Sequence, residues 1–330
     1  MQKARGKIFI VCIFAECLSI AILCVYIIAL HKTQAMRAFH VLPLSQNTVQ
    51  FPIDTALRYY YELAPNTTKI DDFAYMRLTG KAVHTINADG LNERMMYALS
   101  KPITTYRIVT VGDSFTEGAF VDTKNNYSEV LEDMLNSSVQ CPSYQHFEVI
   151  NLGVAGYDMQ YNLERFKQKG LKYDPNLVIL WTDENDYVAN NEKYYALVDT
   201  WDPVKESPEI IALYQSQGDF APESNAVWYK FNSLYTRTTL VAEELTYLRN
   251  FMQFVQSPLI IFSLSRTPKD IRQSIQTMAY QQQGAFYFPE IPDVYDKFPD
   301  DHPSVVGHTQ FAEFLYRKLQ SSVLTDCVFR

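Results

Sequence analysis

Tyr106-Arg-Ile-Val-Thr-Val111, running straight into Gly112-Asp113-Ser114-Phe115-Thr116-Glu117-Gly118, is the stretch whose reading decides the fold. Its first part is short, β-rich and largely apolar, which predicts a buried strand. Gly112 and Gly118 then let the backbone turn sharply and come close to a ligand. A helix is expected from about Asn126. Asn126 and Glu129 are spaced as the cap and partner of a capping box. Tyr127, Val130, Leu131, Met134 and Leu135 fall at i, i+3, i+4, i+7 and i+8, one face of that helix. Ser114 therefore sits just past the carboxyl end of a strand, where open α/β sheets place their ligand crevice. A lone Gly-Asp-Ser is weak evidence, and its meaning depends on the elements downstream of it.

The downstream chain repeats the pattern. Phe147–Leu152 reads as a second strand running into Gly153. Met159–Lys169 is helical in pattern, with Gly170 expected as its stop. Leu177–Trp181 is apolar throughout, as a parallel strand covered on both faces should be, and ends in Thr182-Asp183-Glu184-Asn185-Asp186. Residues 188–233 read as an irregular insertion rich in Tyr, Trp, Pro and acidic residues. Helix Leu234–Phe254, strand Pro258–Ser263, helix Pro268–Gln283 and short strand Ala285–Phe288 come next. Asp300-Asp301-His302-Pro303 and a final helix through Leu319 close the chain. Strands alternating with helices predict a parallel sheet in a three-layer α/β/α sandwich.

Before this domain, expected over residues 103–330, the chain has a different character. Met1–Lys7 carries Lys3, Arg5 and Lys7, and Ile8–Leu30 is almost wholly apolar. As a helix that run would extend roughly 34 Å, enough to cross a bilayer with some tilt. It is longer than a signal-peptide core and no small-x-small site closes it, so an uncleaved transmembrane anchor is expected. The basic N-terminus points to the cytoplasm and the remainder outward. Glu16 inside the span is given no role. Residues 31–102, punctuated by Pro43, Pro52 and Pro65, read as a juxtamembrane stalk that ends by packing on the domain. Asn87-Ala88-Asp89-Gly90 has the residues of a tight turn.

Composition excludes some functions. The 330 residues are 47% hydrophobic and 20% charged, with net charge −8 and pI about 5.3, so a packed core is expected and a nucleic-acid partner is not. No Cys/His cluster has zinc spacing, and no glycine-rich phosphate loop is present, so neither metal nor cofactor is expected. Cys141 and Cys327 lie beyond the apolar segment and could pair if that part is exported.

Ser114, Gly153, Asn185 and His302 all come after strands, so they should share one edge of the sheet. Ester hydrolysis through a serine needs such a set. The hydroxyl is a weak nucleophile until a base takes its proton, and histidine titrates in the useful range. A carboxylate holds the imidazole in the right tautomer. The oxyanion needs donors, for which the Ser114 N–H, the Gly153 N–H and the Asn185 amide are candidates.

Gly112-Asp113-Ser114, Gly153, Asn185-Asp186 and His302-Pro303 resemble the four blocks of the SGNH/GDSL hydrolase superfamily. The resemblance runs from about Ile103 to Leu319. It implies a flavodoxin-like sandwich and a metal-free serine esterase, with Ser114 as nucleophile, His302 as base, and Ser114, Gly153 and Asn185 as the oxyanion hole. That family places its acid three residues before the histidine, where this chain has Pro299. Asp300 is the preferred acid and Asp301 the alternative, with a Ser–His dyad also open. Asp183 and Asp186 are read as solvated loop acids and His308 as structural. His31, His40, His84 and His146 are read as surface residues. The expected activity is a membrane-anchored, extracytoplasmic serine esterase acting on acyl esters of a small molecule or a surface glycan, acetyl among them. One alternative is an O-acyltransferase served by a membrane acyl-donor partner. Another is a non-enzymatic binding module on a decayed hydrolase fold.

Overall fold

A computed structural model of the chain describes residues 48–49, 57–73, 78–202, 205, 222–291 and 295–329. The chain divides into two units, Met1–Val41 and Leu42–Arg330, and the described residues belong to the second. The expected anchor Ile8–Leu30, with Glu16, Cys12, Cys17 and Cys24, lies outside the described residues. Among those described, no helix is long and apolar enough to cross a membrane.

Five parallel strands form the central sheet: β1 (Thr105–Val111), β2 (His146–Asn151), β3 (Leu177–Trp181), β4 (Leu259–Leu264) and β5 (Ala285–Ile291). They lie in the order β5-β4-β3-β1-β2, every neighbouring pair parallel. This is the flavodoxin-like doubly wound order, whose direction of winding reverses between β1 and β3. Helices connect the strands. α1 (Ser114–Glu117) and α2 (Tyr127–Ser138) come after β1, and α3 (Met159–Arg165) after β2. After β3 come α4 (Asn185–Val188), α5 (Asn191–Asp199), α6 (Pro222–Leu234) and α7 (Arg237–Phe254). α8 (Lys269–Gln281) comes after β4 and α9 (Val305–Ser322) after β5.

The continuous apolar runs of the strands have a simple cause. Ile108 of β1 points into one core with Ile179 of β3, Tyr127 and Leu131 of α2 and Phe311 of α9. Its neighbour Val109 points into the other, with Val178, Leu163 of α3, Phe251 of α7 and Ile275 of α8. Side chains alternate across a strand, so a strand covered on both faces needs apolar residues at every position.

Several local expectations change. Asn126 does cap α2, its side chain accepting from Glu129 N, but the Glu129 carboxylate does not return to it; it pairs with Arg94. Gly170 is not a helix stop. It sits at φ −61 within a continuing turn, and the chain leaves the helical path at Asp174, which takes a left-handed φ of 48. Glycine is needed at 170 because a Cβ there would lie 2.3 Å from the Phe166 ring. The 188–233 stretch is not irregular throughout, since it holds α5 and most of α6. Residues 57–102 of the expected stalk belong to the same compact unit as the sheet. Their antiparallel hairpin, Thr67–Asp72 against Lys81–Ile86, lies along the turn that carries Ser114, with Val83 N donating to Asp122 and Phe120 N to Asp71. The Asn87–Gly90 turn forms as expected, with Asn87 Oδ1 accepting from Asp89 N and Leu91 N, and Gly90 at φ 71. Cys141 and Cys327 are joined in a disulfide.

Candidate active site

Every strand of a parallel sheet ends at the same edge, so the loops after β1, β2, β3 and β5 converge there. Ser114 opens α1 immediately after β1. Gly112 makes this turn possible, because a Cβ there would lie 2.2 Å from Thr116 Oγ1. Asp113 caps the helical turn, its carboxylate accepting from Phe115 N at 3.0 Å, and Gly118 ends it in a left-handed conformation at φ 88. Phe115, Thr116 and Glu117 are buried, while Ser114 is left half-exposed beside them.

His302 reaches the serine from the loop between β5 and α9. Phe298 N donates to His302 O and Asp301 N to Phe298 O, so Pro299, Asp300 and Asp301 form a three-residue hairpin loop. Asp301 takes its left-handed position at φ 72. Within this loop Asp300 Oδ1 accepts from His302 N at 3.2 Å, an Asx-type contact two residues forward. That contact folds the carboxylate over the histidine, and Asp300 Oδ2 lies 2.8 Å from His302 Nδ1. His302 Nε2 lies 2.8 Å from Ser114 Oγ. The Asp300 side chain is 2% exposed. Asp301 turns the other way, to Lys297 and Arg266.

Rings fix the imidazole. Phe115 lies 5.2 Å from it between the centroids, stacked in turn on Trp181, and Phe120 stands edge-on at 5.1 Å. Phe120 holds this place with φ 66, rare for a residue with a bulky side chain. Phe73 and Phe298 continue the wall, 5.3 Å apart.

Two of the three expected oxyanion donors keep their availability. Among the described residues, neither the Ser114 N–H nor the Asn185 side-chain amide has a hydrogen-bond acceptor. Asn185 begins α4 just past β3, which pairs with β1, so Asn185 and Ser114 flank the reversal of the sheet. Gly153 is different. Its N–H donates to Asn151 Oδ1 at 2.8 Å, and its own role is steric: a Cβ would lie 2.2 Å from Glu117 N, against the serine turn. In this loop the Gly156 N–H, at φ 81, has no acceptor among the described residues.

Other expectations are corrected. Asp183 and Asp186 are not solvated: they are 5% and 1% exposed, and Asp186 Oδ2 accepts from Asp183 N. Burial, then the nearby Asp113 carboxylate, hold Asp186 well above the usual carboxylate range. Burial likewise pushes Asp113 up to about 7. His84 is fully buried rather than on the surface. It lies with Lys69 and Asp71 of the hairpin against Glu117 of α1. Lys69 and His84, 3.3 Å away through Nδ1, draw the Glu117 carboxyl well below its ordinary range despite burial. The signal for this cluster was the alternation Ala82, His84, Ile86, which sets His84 on the inward face of its strand. His308 is structural as expected, its Nδ1 accepting from Tyr127 N at 3.2 Å. Among the described residues, no group of His, Cys, Asp or Glu could hold a metal ion.

Residues 108–315 match the family model described as GDSL-like Lipase/Acylhydrolase. The chain belongs to this family. It is an SGNH-type hydrolase of ester bonds. Solved structures similar to it include TesA, at 14% identity over 66% of this chain and 99% of that one, with a TM-score of 0.43. The psychrotrophic esterase EstA from Pseudoalteromonas sp. is 12% identical over 65% and 97%, with a TM-score of 0.41. The acetylxylan esterase Axe2 from Geobacillus stearothermophilus is 14% identical over 65% and 94%, also at 0.41. No curated protein matches the chain.

Proposed function

We propose that this hydrolase works through Ser114 as nucleophile, His302 as general base and Asp300 as the acid that orients it. One observation carries the reading: an unbroken path from Ser114 Oγ through both ring nitrogens of His302 to Asp300, each step 2.8 Å. Nε2 takes the serine proton as Oγ attacks the acyl carbon, and Asp300 stabilises the imidazolium. Ser114 N–H, Gly156 N–H and the Asn185 amide stabilise the oxyanion. Collapse of the tetrahedral intermediate sends the Nε2 proton to the leaving alcohol, and water then releases the acid by the same steps.

The alcohol is a sugar hydroxyl and the acyl group is short, acetyl being the type. The leaving oxygen must sit beside His302, so the Phe120, Phe298 and Phe73 rings lie on the alcohol side, where flat apolar faces suit a pyranose. An acetylated glycan is also the substrate class that the name of the acetylxylan esterase gives to that protein. Ile8–Leu30 anchors the chain in a membrane with the catalytic domain outside the cytoplasm. The length of the apolar run, the basic residues before it and the Cys141–Cys327 bond, of a kind that persists in oxidising compartments, support that placement. The test is labelling by a fluorophosphonate. The wild-type chain should be labelled and should release acetate from acetylated xylooligosaccharide, while Ser114→Ala should do neither. An unlabelled wild type would return the chain to the binding-module reading. Acetate appearing on an added acceptor sugar rather than in solution would make it a transferase.

A further inference from the structure

The loop after β2 is built onto the serine turn. Val154 N donates to Gly112 O at 3.2 Å, and the Asn151 amide donates to Thr116 O at 2.7 Å. At its tip the peptide joining Ala155 to Gly156 is held from three sides. Ala155 N donates to Glu117 Oε2 at 2.6 Å, and Glu117 closes the helical turn that Ser114 opens. Gly156 O accepts from Asn191 Nδ2 at 2.7 Å. The carbonyl of the peptide itself, Ala155 O, accepts the Tyr61 hydroxyl at 2.8 Å. The peptide is trans, so its N–H points opposite to its C=O. By fixing the carbonyl, Tyr61 also fixes the direction of the Gly156 N–H, which has no acceptor among the described residues.

Tyr61 is itself immobilised. It is 4% exposed, and its ring packs against Tyr157, Tyr161 and Tyr195 at centroid distances of 5.3, 5.8 and 6.0 Å. Burial keeps its hydroxyl protonated well above the ordinary range, so it stays a donor at any working pH. It comes from the segment that the sequence presents as a stalk, outside every motif.

We propose that Tyr61 is a positioning residue for catalysis, its hydroxyl holding the Ala155–Gly156 peptide so that the Gly156 N–H meets the oxyanion. The inference rests on the reading of Ser114 as nucleophile and of Gly156 N–H as a donor. A preorganised donor costs no reorganisation as charge develops, and its loosening lowers the chemical step rather than substrate binding.

The test uses the full chain in detergent with two variants, Tyr61→Phe and Tyr157→Phe. Tyr157 is the control: its hydroxyl also donates to a backbone carbonyl, that of Tyr61, in the same cluster, but does not touch the 155–156 peptide. For Tyr61→Phe, kcat on p-nitrophenyl acetate and the rate of fluorophosphonate inactivation should fall together by about 10-fold, a fraction of the loss on deleting a donor, with KM unchanged. Tyr157→Phe should keep both rates. Unchanged rates in Tyr61→Phe, an equal loss in Tyr157→Phe, or a rise in KM alone would each overturn the inference. If Tyr61→Phe does not fold, the Gly156 amide resonance of ¹⁵N-glycine-labelled wild type decides. It should move downfield on phosphonylation, and a stationary resonance would overturn the proposal. A wild type that is neither active nor labelled removes the reading of Ser114 and this inference with it, whereas an active wild type with an unaffected Tyr61→Phe removes this inference alone.

Discussion

Asp300 and Asp301 are adjacent carboxylates placed in different surroundings by one loop. The Asx contact to His302 N bends the Asp300 carboxylate onto Nδ1, while the left-handed backbone at Asp301 sends its side chain to Lys297 and Arg266. Asp300→Asn should therefore lower kcat by about 10²–10⁴, since an amide imposes the wrong tautomer on the imidazole. Asp301→Asn should leave kcat nearly unchanged, because asparagine also accepts a left-handed backbone and the lost ion pairs are partly exposed. Steady-state kinetics on the two purified variants check this, and the reverse pattern would move the acid to Asp301. His308 gives a second prediction at this scale. Burial depresses its pKa from the ordinary 6.5 to about 3, so the folded chain holds it neutral where the unfolded chain protonates it. Its contribution to stability is therefore present above pH 6.5 and is lost as the pH falls towards 3. Protonation also removes Nδ1 as the acceptor for Tyr127 N. His308→Gln keeps an acceptor without titrating in this range. The thermal midpoint of the wild type should fall more steeply than that of His308→Gln between pH 7 and pH 4, and parallel curves would refute the assignment.

Elements carry the positions that no single residue explains. The path from Met159 runs as α3, then a wider π turn over Phe166–Gly170, then a 3-10 turn to Tyr173. Gly170 lies against Phe166, whose ring is buried against Phe251 of α7. Gly170→Ala should destabilise the fold by about 1–3 kcal/mol, the cost of forcing a methyl group into a packed site, despite the better helix propensity of alanine. Urea midpoints of the two chains measure it, and a stabilised variant would show that the turn has room to relax. The sheet and its helices were legible in the sequence because apolar runs and helix periodicity are local signals; Leu177–Trp181 was read with its observed ends. The turn that carries Ser114 was legible because Gly112, Ser114 and Gly118 lie within one short stretch. Gly153 was assigned the wrong part for a physical reason. A backbone donor leaves no trace in a sequence, and whether an N–H is free depends on Asn151 folding back onto it. The Thr67–Asp72 and Lys81–Ile86 hairpin was missed because its inward face carries Lys69 and His84 while Ile70 and Val83 lie exposed, so its alternation did not read as burial.

At the scale of the whole molecule, the proposed anchor sets the compartment in which the domain resides. Cys141 comes after α2, and Cys327 immediately precedes the C-terminal strand Val328–Phe329, which pairs with Val139–Gln140. Their bond ties the end of the chain to the edge of the layer formed by α2 and α9. A crosslink across so long a loop constrains the unfolded chain strongly, and typical contributions are about 2–5 kcal/mol. Such a bond is characteristic of oxidising compartments, so topology and stability are linked. With Lys3, Arg5 and Lys7 retained inside, protease added to intact spheroplasts should digest the domain, and maleimide should modify Cys141 and Cys327 only after reduction. Reduction, or Cys141→Ser, should lower the denaturation midpoint without touching the Ser114–His302 pair, which hangs from other elements. Protection of the domain until lysis, with both thiols free, would place it in the cytoplasm. The site geometry would stand, but the surface-glycan substrate would lose its physical basis, and an intracellular ester would take its place.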